Sequence, residues 1–178
     1  MRRFHLFYRI YSEGGEKMKQ KYHTEEELIE VYKRNVDMIY RICFSYMKNK
    51  TDSEDALSST FMRYITCPLH FENLEHEKAW FIRTATNVCK DMLKSWWRRN
   101  ITYEDKTIIH SNPQYIDSTL DVVLNLPNQY KTVIYLYYYE GYNSEEIAEI
   151  LNKSPSTIRN RLARARKILK RKLGDQYE

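Results

Sequence analysis

Asn143-Ser-Glu-Glu146-Ile147-Ala-Glu-Ile150-Leu151-Asn152-Lys153-Ser154-Pro155-Ser156-Thr157-Ile158-Arg159-Asn160-Arg161-Leu162-Ala-Arg164-Ala-Arg166-Lys167-Ile-Leu-Lys170-Arg171-Lys172 reads as two helices joined by a tight turn. Asn143 and Glu146 have capping-box spacing, in which each side chain bonds the other residue's amide. Ser154 is a good N-cap, and Pro155 at the first helical position loses only an N–H that no helix would use. Ile147, Ile150, Leu151, Ile158 and Leu162 fall on facing stripes and form one apolar seam. Between Lys153 and Lys172 stand nine Lys or Arg residues and no acid. Nine uncompensated cations on one helix repel one another unless a polyanion lies opposite. A basic run by itself is usually a solvated face; combined with two caps, a short turn and a seam it describes a helix-turn-helix whose second helix enters the major groove of DNA. Ser156, Thr157, Asn160 and Arg161, in the first turns, are placed to reach base edges. Arg164, Arg166, Lys167 and Arg171 lie further along and hold phosphates.

The net charge of +5 over 178 residues understates this segregation. Residues 118–152 carry five acids against the single cation Lys131, so one end of the chain is built for nucleic acid and the stretch before it is not. The four glycines, Gly14, Gly15, Gly141 and Gly174, form no phosphate-cradling or dinucleotide fingerprint, and no cofactor is expected. Cys43, Cys67 and Cys89 sit within or at the ends of helical patterns and read as reduced packing residues of a cytoplasmic protein. Cys67 and His70 are two ligands at most, which does not make a metal site. No apolar run approaches membrane-spanning length, so no membrane insertion is expected.

Residues 1–22 form an N-terminal extension. Its apolar stretch is interrupted by His5 and Arg9 and lacks a small-residue cleavage site, unlike a signal peptide. Gly14-Gly15-Glu16-Lys17 back-translates to a purine-rich ribosome-binding sequence just before Met18, so synthesis is expected to start at Met18, with residues 1–17 as upstream sequence.

With few turn-formers and long 3.6-residue periodicities, the chain is expected to be all-α: two helical domains joined by a flexible linker, the second ending in the helix-turn-helix. The first domain spans 23–99. Thr24 and Glu27 open its first helix as a capping box, with Leu28, Ile29, Tyr32, Val36, Ile39, Ile42, Cys43 and Tyr46 as its stripe and an end near Lys50. A second helix starts at Thr51-Asp52-Ser-Glu54-Asp55, carries Ala56, Leu57, Thr60, Phe61 and Tyr64 inward, and is closed by Pro68. A polar loop from Pro68 to Glu77 precedes a third helix, Lys78 to about Arg99. On it Phe81, Ile82, Ala85, Val88, Cys89, Met92, Leu93 and Trp96 face inward, with Arg83, Thr84, Asn87, Lys90, Asp91 and Lys94 opposite. Residues 100–117 lose the period and read as the linker. The second domain, 118–173, begins with a cap at Ser118 and Asp121. It continues from Leu126-Pro127 through Val133, Ile134, Leu136 and Tyr137, and Gly141 is its left-handed C-cap.

Two segments carry a family resemblance. Leu126-Pro127, Leu136 to Leu151 and Ser156 to Lys167 resemble the promoter −35-binding domain of bacterial sigma factors. Asp52-x-Glu54-Asp55-Ala-Leu57-x-x-x-Phe61, followed by Ala79-Trp80-Phe81-x-x-x-Ala85-Thr-Asn87-x-x-x-Asp91-x-x-Lys94, is similar to their −10-binding domain. Both in this order, with nothing between but a short linker, resemble the small extracytoplasmic-function group across about residues 25–172. The resemblance implies a dissociable promoter-specificity subunit with no chemistry of its own. Its partners would be core RNA polymerase and promoter DNA, with an anti-sigma protein as a common further partner in the family.

By the same resemblance, Asp52, Glu54, Asp55, Leu57 and Phe61 fall in the helix that docks on polymerase, although Leu57 and Phe61 also read as core. After Leu57, where the family often has Gln and an acid, stand Ser58 and Ser59. The −10 set is Phe71, Arg83, Asn87, Lys90, Lys94 and Arg98. Asn87 meets a base edge, Phe71 offers a stacking surface, and the cations take the backbone of a strand losing its own stacking. The −35 set is Ser154, Ser156, Thr157, Arg159, Asn160, Arg161, Arg164, Arg166 and Lys167. Trp80 and Trp96 have core phase, and Trp97 is left to face DNA. Tyr135, Tyr137, Tyr138 and Tyr139 either fill the second core or meet polymerase. A stand-alone helix-turn-helix regulator would have no use for the Asp52–Phe61 and Trp80–Lys94 patterns. A recombinase would need a nucleophile among positioned acids, and none is arranged so.

Overall fold

Residues 22–100 and 122–174 are described by the computed structural model of the chain, the side chains of Arg99 and Asn100 excepted. The expected start at Met18, residues 101–117 of the expected linker and the Ser118–Asp121 cap lie outside the described residues, and Asn100, expected to open the linker, is the last residue of the helix before it. The described elements are α1 (Glu25–Met47), α2 (Lys50–Ile65), α3 (Leu74–Asn100), α4 (Asn128–Ile134), a π-helical turn (Tyr135–Tyr139), α5 (Ser144–Leu151) and α6 (Pro155–Gly174). No strand occurs among the described residues, and the all-α architecture is as expected.

Local chemistry sets the helix ends. Thr24 and Glu27 form the capping box, with bonds of 2.8 and 3.2 Å between each side chain and the other's amide. Helix α2 starts at Lys50 and not at Thr51, because Asn49 is the cap: its Oδ1 accepts from the Asp52 amide at 2.9 Å. Helix α3 starts four residues before the expected Lys78. There Asn73 Oδ1 accepts from the His76 amide at 2.8 Å, which shortens the loop after Pro68. Glu77, expected in that loop, is buried on the first turn of α3. Its carboxylate accepts from Asn35 Nδ2 at 2.6 Å and from Arg34 at 2.9 and 3.3 Å, tying α3 to α1.

The first core lies between α1, α2 and α3. Ile39, Ile42, Cys43, Ala56, Phe61, Phe81, Ile82, Ala85 and Cys89 are buried there, with the Phe61 ring 4.8 Å from Tyr32 and 5.2 Å from Phe81. Trp80 packs by its edge on Tyr64 and Phe81. Trp96 departs from its phase: α3 runs past the ends of α1 and α2, leaving Trp96 and Trp97 exposed and in edge contact with each other. Thr84, placed on the polar face by its spacing, is buried.

The second core gathers Val133, Ile134 and Leu136 around the seam of Ile147, Ile150, Ile158, Leu162 and Ala165. Gly141 takes φ +79°, the left-handed conformation its C-capping role demands. Asn152 takes the same region, φ 50°, and makes the turn between α5 and α6.

The two domains are packed together. Tyr46 Oη meets Thr132 Oγ1 at 2.6 Å, and Thr132 donates to the Asn128 carbonyl. Lys48 Nζ donates to Asn125 at 3.0 Å. Lys131, fully buried, donates to the Ser45 carbonyl. Burial, with Lys48 adding to it, pushes the Lys131 ammonium down to about 8 from its usual 10.5. The unfolded chain still holds this proton between about pH 8 and 10.5 while the folded one does not, so the Lys131 contribution to stability rises with pH across that window. Lys131→Met is expected to flatten the rise. In urea titrations at pH 7 and pH 9.5, wild type should gain roughly 2–3 kcal/mol relative to the variant, whereas parallel profiles would show that Lys131 is not held against its charge.

Candidate nucleic-acid interface

The helix-turn-helix is assembled from its two caps and the seam. Asn143 Oδ1 accepts from the amides of Glu145 and Glu146 at 2.9 and 3.0 Å, and Glu146 returns a bond to the Asn143 amide at 2.7 Å. Ser154 Oγ accepts from the Thr157 amide at 3.2 Å and lies 3.0 Å from Ser156 Oγ and 2.8 Å from Thr157 Oγ1. These three hydroxyls therefore form one cluster on the first turn of α6. Pro155 occupies the position where an amide would have no partner.

Beyond that turn, Arg159, Asn160, Arg164, Arg166 and Lys167 are exposed, and Arg161 is half-buried. Arg159 pairs with Glu145 across the turn at 2.9 Å, both exposed. Such a pair holds its geometry weakly and yields readily to a phosphate. Arg166 donates to Tyr138 Oη at 2.8 Å, with its guanidinium 5.2 and 5.6 Å from the Tyr137 and Tyr138 ring centres. The hydrogen bond to the Tyr138 phenol oxygen, with the Tyr137 phenol adding to it, holds the Arg166 guanidinium above its usual value. So the π-helical turn serves α6 directly: Tyr137 is half-buried beside it, Tyr138 and Tyr139 are exposed, and Tyr139 stacks on Tyr135 at 5.2 Å.

On the first domain, Asn87, Lys90, Lys94 and Arg98 are exposed along one side of α3, and Arg98 reaches back to the Lys94 carbonyl at 3.4 Å. Arg83 lies on the same side but is engaged: Nε and Nη2 donate to the carbonyls of Ile150 and Glu149 at 2.7 and 2.6 Å. Lys90 is held below its usual value, first by partial burial and then by Lys153 and Arg161 of the second domain, with Asp91 opposing. Of the expected −10 residues on α3, Arg83 therefore meets the helix-turn-helix, while Asn87, Lys90, Lys94 and Arg98 stay exposed. Phe71 is half-buried in a cluster with Tyr64, Trp80, His76 and Phe81, presenting part of one ring to the loop surface. At the foot of that cluster His23 donates through Nε2 to the Cys67 carbonyl at 3.1 Å and stacks on Tyr64.

On α2, Asp52 and Asp55 are exposed and Glu54 and Leu57 are half-buried, forming an acidic edge at the helix start. Phe61 is buried in the core, so its side chain positions this helix and does not itself touch a partner. Sequence reading counted Lys153 among the nine cations but left it out of the −35 set, although its charge, like that of Arg161, acts on Lys90, and it missed the engagement of Arg83 by α5. The nine-cation count was the available signal for Lys153; Arg83 had none, because its acceptors are backbone atoms 66 and 67 residues away. No described helix is long and apolar enough to cross a membrane.

Comparison with known proteins agrees with this geometry. The family model described as Sigma-70 region 2 matches residues 31–99, and that described as Sigma-70, region 4 matches residues 116–169. The RNA polymerase sigma factor SigV of Bacillus subtilis is 30% identical over 158 residues, covering 86% of this chain and 95% of its own. The extracytoplasmic-function sigma factor SigW of the same organism is 26% identical over 170 residues, covering 84% and 88%. In fold, the chain is similar to the sigma factor RpoE of Bartonella quintana, solved in complex with the anti-sigma factor NepR, with a TM-score of 0.61 and 21% identity over 84% of this chain and 96% of that one. Two domains matched in order, along with a relative matched over nearly its whole length, place this chain in the extracytoplasmic-function family of RNA polymerase sigma factors.

Proposed function

We propose that the chain carries out its family's task, directing core RNA polymerase to specific promoters and opening them, through three surfaces and with no chemistry of its own. The observation that carries this division is the separation of charge: the exposed acids Asp52 and Asp55 start α2, while the cations gather on α3 and α6. The first turns of α6 (Ser154, Ser156, Thr157, Asn160 and Arg161) read base edges in the −35 major groove. Arg159, Arg164, Arg166 and Lys167 hold the flanking phosphates. The side of α3 bearing Asn87, Lys90, Lys94 and Arg98, together with Phe71, receives the −10 strand as it opens. Asn87 offers both a donor and an acceptor to an unpaired base edge, and Arg83 joins this set once freed from α5. Asp52, Glu54, Asp55 and Leu57 form the polymerase-facing edge, positioned by Phe61 from within. Polymerase and promoter DNA place the working protein in the cytoplasm. An anti-sigma protein is a third partner in this reading, which the similarity to an anti-sigma-bound fold supports.

Phosphate and base contacts leave different signatures. Arg161→Ala should cost about 1–3 kcal/mol on a selected promoter and little on scrambled duplex, whereas Lys170→Ala should weaken both alike and lower the salt slope by about one. Filter-binding of the polymerase complex across a salt series reads both quantities, and equal losses on both DNAs for both variants would refute the division. Asn87→Ala should leave closed-complex formation intact while reducing permanganate reactivity of unpaired thymines at the −10 element. Unchanged reactivity would remove Asn87 from the strand-capturing set.

A further inference from the structure

His23 stands just before the Thr24 cap of α1 and reaches across to α2 and the loop that follows it. Its ring is buried and stacks on Tyr64 with 4.3 Å between centres, and its Nε2 lies 3.1 Å from the Cys67 carbonyl. A carbonyl only accepts, so Nε2 carries the proton and Nδ1 is left as the acceptor. Nδ1 faces the Tyr64 hydroxyl at 3.4 Å. Burial, with Glu77 and Glu27 adding to it, pushes that phenol up to about 12, so it keeps its hydrogen and serves as the donor.

The loop that His23 meets opens on a tight turn. Pro68 has no N–H, and the Leu69 amide turns back onto the Cys67 carbonyl at 2.9 Å, closing a turn of three residues. The Cys67 carbonyl therefore receives two donors, one from within the loop and one from His23. Beyond the turn, the His70 ring stands edge-on to His23 at 6.4 Å, and the Phe71 ring lies nearly parallel to Tyr64 at 5.9 Å. The far end of the loop has its own anchor: Asn73 caps α3, and Glu77 binds Arg34 and Asn35 of α1. A buried carboxylate thus ties the exit of the loop to α1, and His23 ties its entry to the segment before α1.

We infer that His23 is a positioning residue for promoter selection: its bond to the Cys67 carbonyl fixes the turn from which Phe71 is presented, and so sharpens base choice at the −10 element. The inference rests on the reading of Phe71 as a surface that receives the opening strand. A loop free to shift accommodates a wrong base nearly as well as the right one, so discrimination depends on ordering the loop before DNA arrives. His23 acts through Cys67 and Tyr64 without touching DNA, and base choice by α6 is independent of it.

Two variants separate the bond from the ring. His23→Phe keeps a ring for Tyr64 and loses the donor, whereas His23→Gln loses the ring and keeps an N–H near the place of Nε2. Each full-length chain is joined to core polymerase and given a selected promoter with either its −10 or its −35 positions randomised. A barcode in the transcribed part of each template reports which sequences are used. H23F should lower discrimination at −10 by about two- to tenfold, the range of one hydrogen bond, with discrimination at −35 unchanged. H23Q should keep most of the wild-type preference. An H23F polymerase as selective at −10 as wild type would overturn the inference, and so would losses of equal size at both elements, which mark a general loss of structure. An H23Q polymerase no more selective than H23F would show that the bond to Cys67 is not what positions the loop. If circular dichroism shows that H23F has unfolded, H23A, which removes the donor and adds no bulk, is measured with the same expectation. Phe71→Ala tells the two levels of failure apart. An F71A polymerase that selects −10 bases as wild type does would refute the reading of Phe71 itself, whereas lost selection in F71A beside an unaffected H23F would refute the role of His23 alone.

Discussion

The twenty residues of α6 carry eight cations and no acid and cannot be held in a helix by internal pairing, and that constraint organises the second domain. Burial of Ile158, Leu162 and Ala165 against Ile147 and Ile150 supplies the stabilisation the charges remove. The caps at Asn143 and Ser154 fix where each helix starts, so the seam falls in register. The remaining cations are steadied from outside the helix: Arg159 by Glu145, and Arg166 by the hydroxyl and ring faces of the π-helical turn. What is left unopposed points to solvent. A duplex phosphate backbone is the ligand that relieves it.

The first domain has the converse design. Its helices are joined by polar links that are buried and satisfied, with Glu77 receiving Arg34 and Asn35 together, so α3 is held rigidly on α1. A rigid α3 then extends past its supports, and its final turns carry Trp96, Trp97 and Arg98 free of the core. Between the two domains the links are fewer and more exposed, apart from the buried Lys131 and the Tyr46–Thr132 bond.

Short-range signals made much of this legible in the sequence. The Thr24–Glu27 and Asn143–Glu146 capping boxes, Ser154 before Pro155, and Gly141 past an aromatic run are each decided within four residues, and each stands in the structure where its spacing placed it. The starts of α2 and α3 were displaced because Asn49 and Asn73 cap more effectively than the residues first chosen, a competition that periodicity does not report. Trp96 was misplaced for a different reason. Phase predicts which side of α3 it occupies, but only the lengths of α1 and α2 decide whether anything lies opposite. Phe71 apart, the residues proposed for the −10 and −35 contacts were legible as polar helix positions; the structure leaves most of them exposed, with Thr157 and Arg161 half-buried, as Phe71 is. The engagement of Arg83, the burial of Lys131 and the like-charge meeting of Lys90, Lys153 and Arg161 were not, since all of them arise from the packing of one domain on the other.

The central claim is that this chain acts as a specificity subunit once joined to polymerase, and reconstitution tests it most directly. Purified chain mixed with bacterial core RNA polymerase is predicted to co-elute with it and to start transcription at discrete sites on a genomic fragment library, sites that share one −35 and one −10 sequence. Elution apart from polymerase, together with direct binding of the free chain to specific duplexes, would contradict the account and leave a helix-turn-helix regulator acting alone.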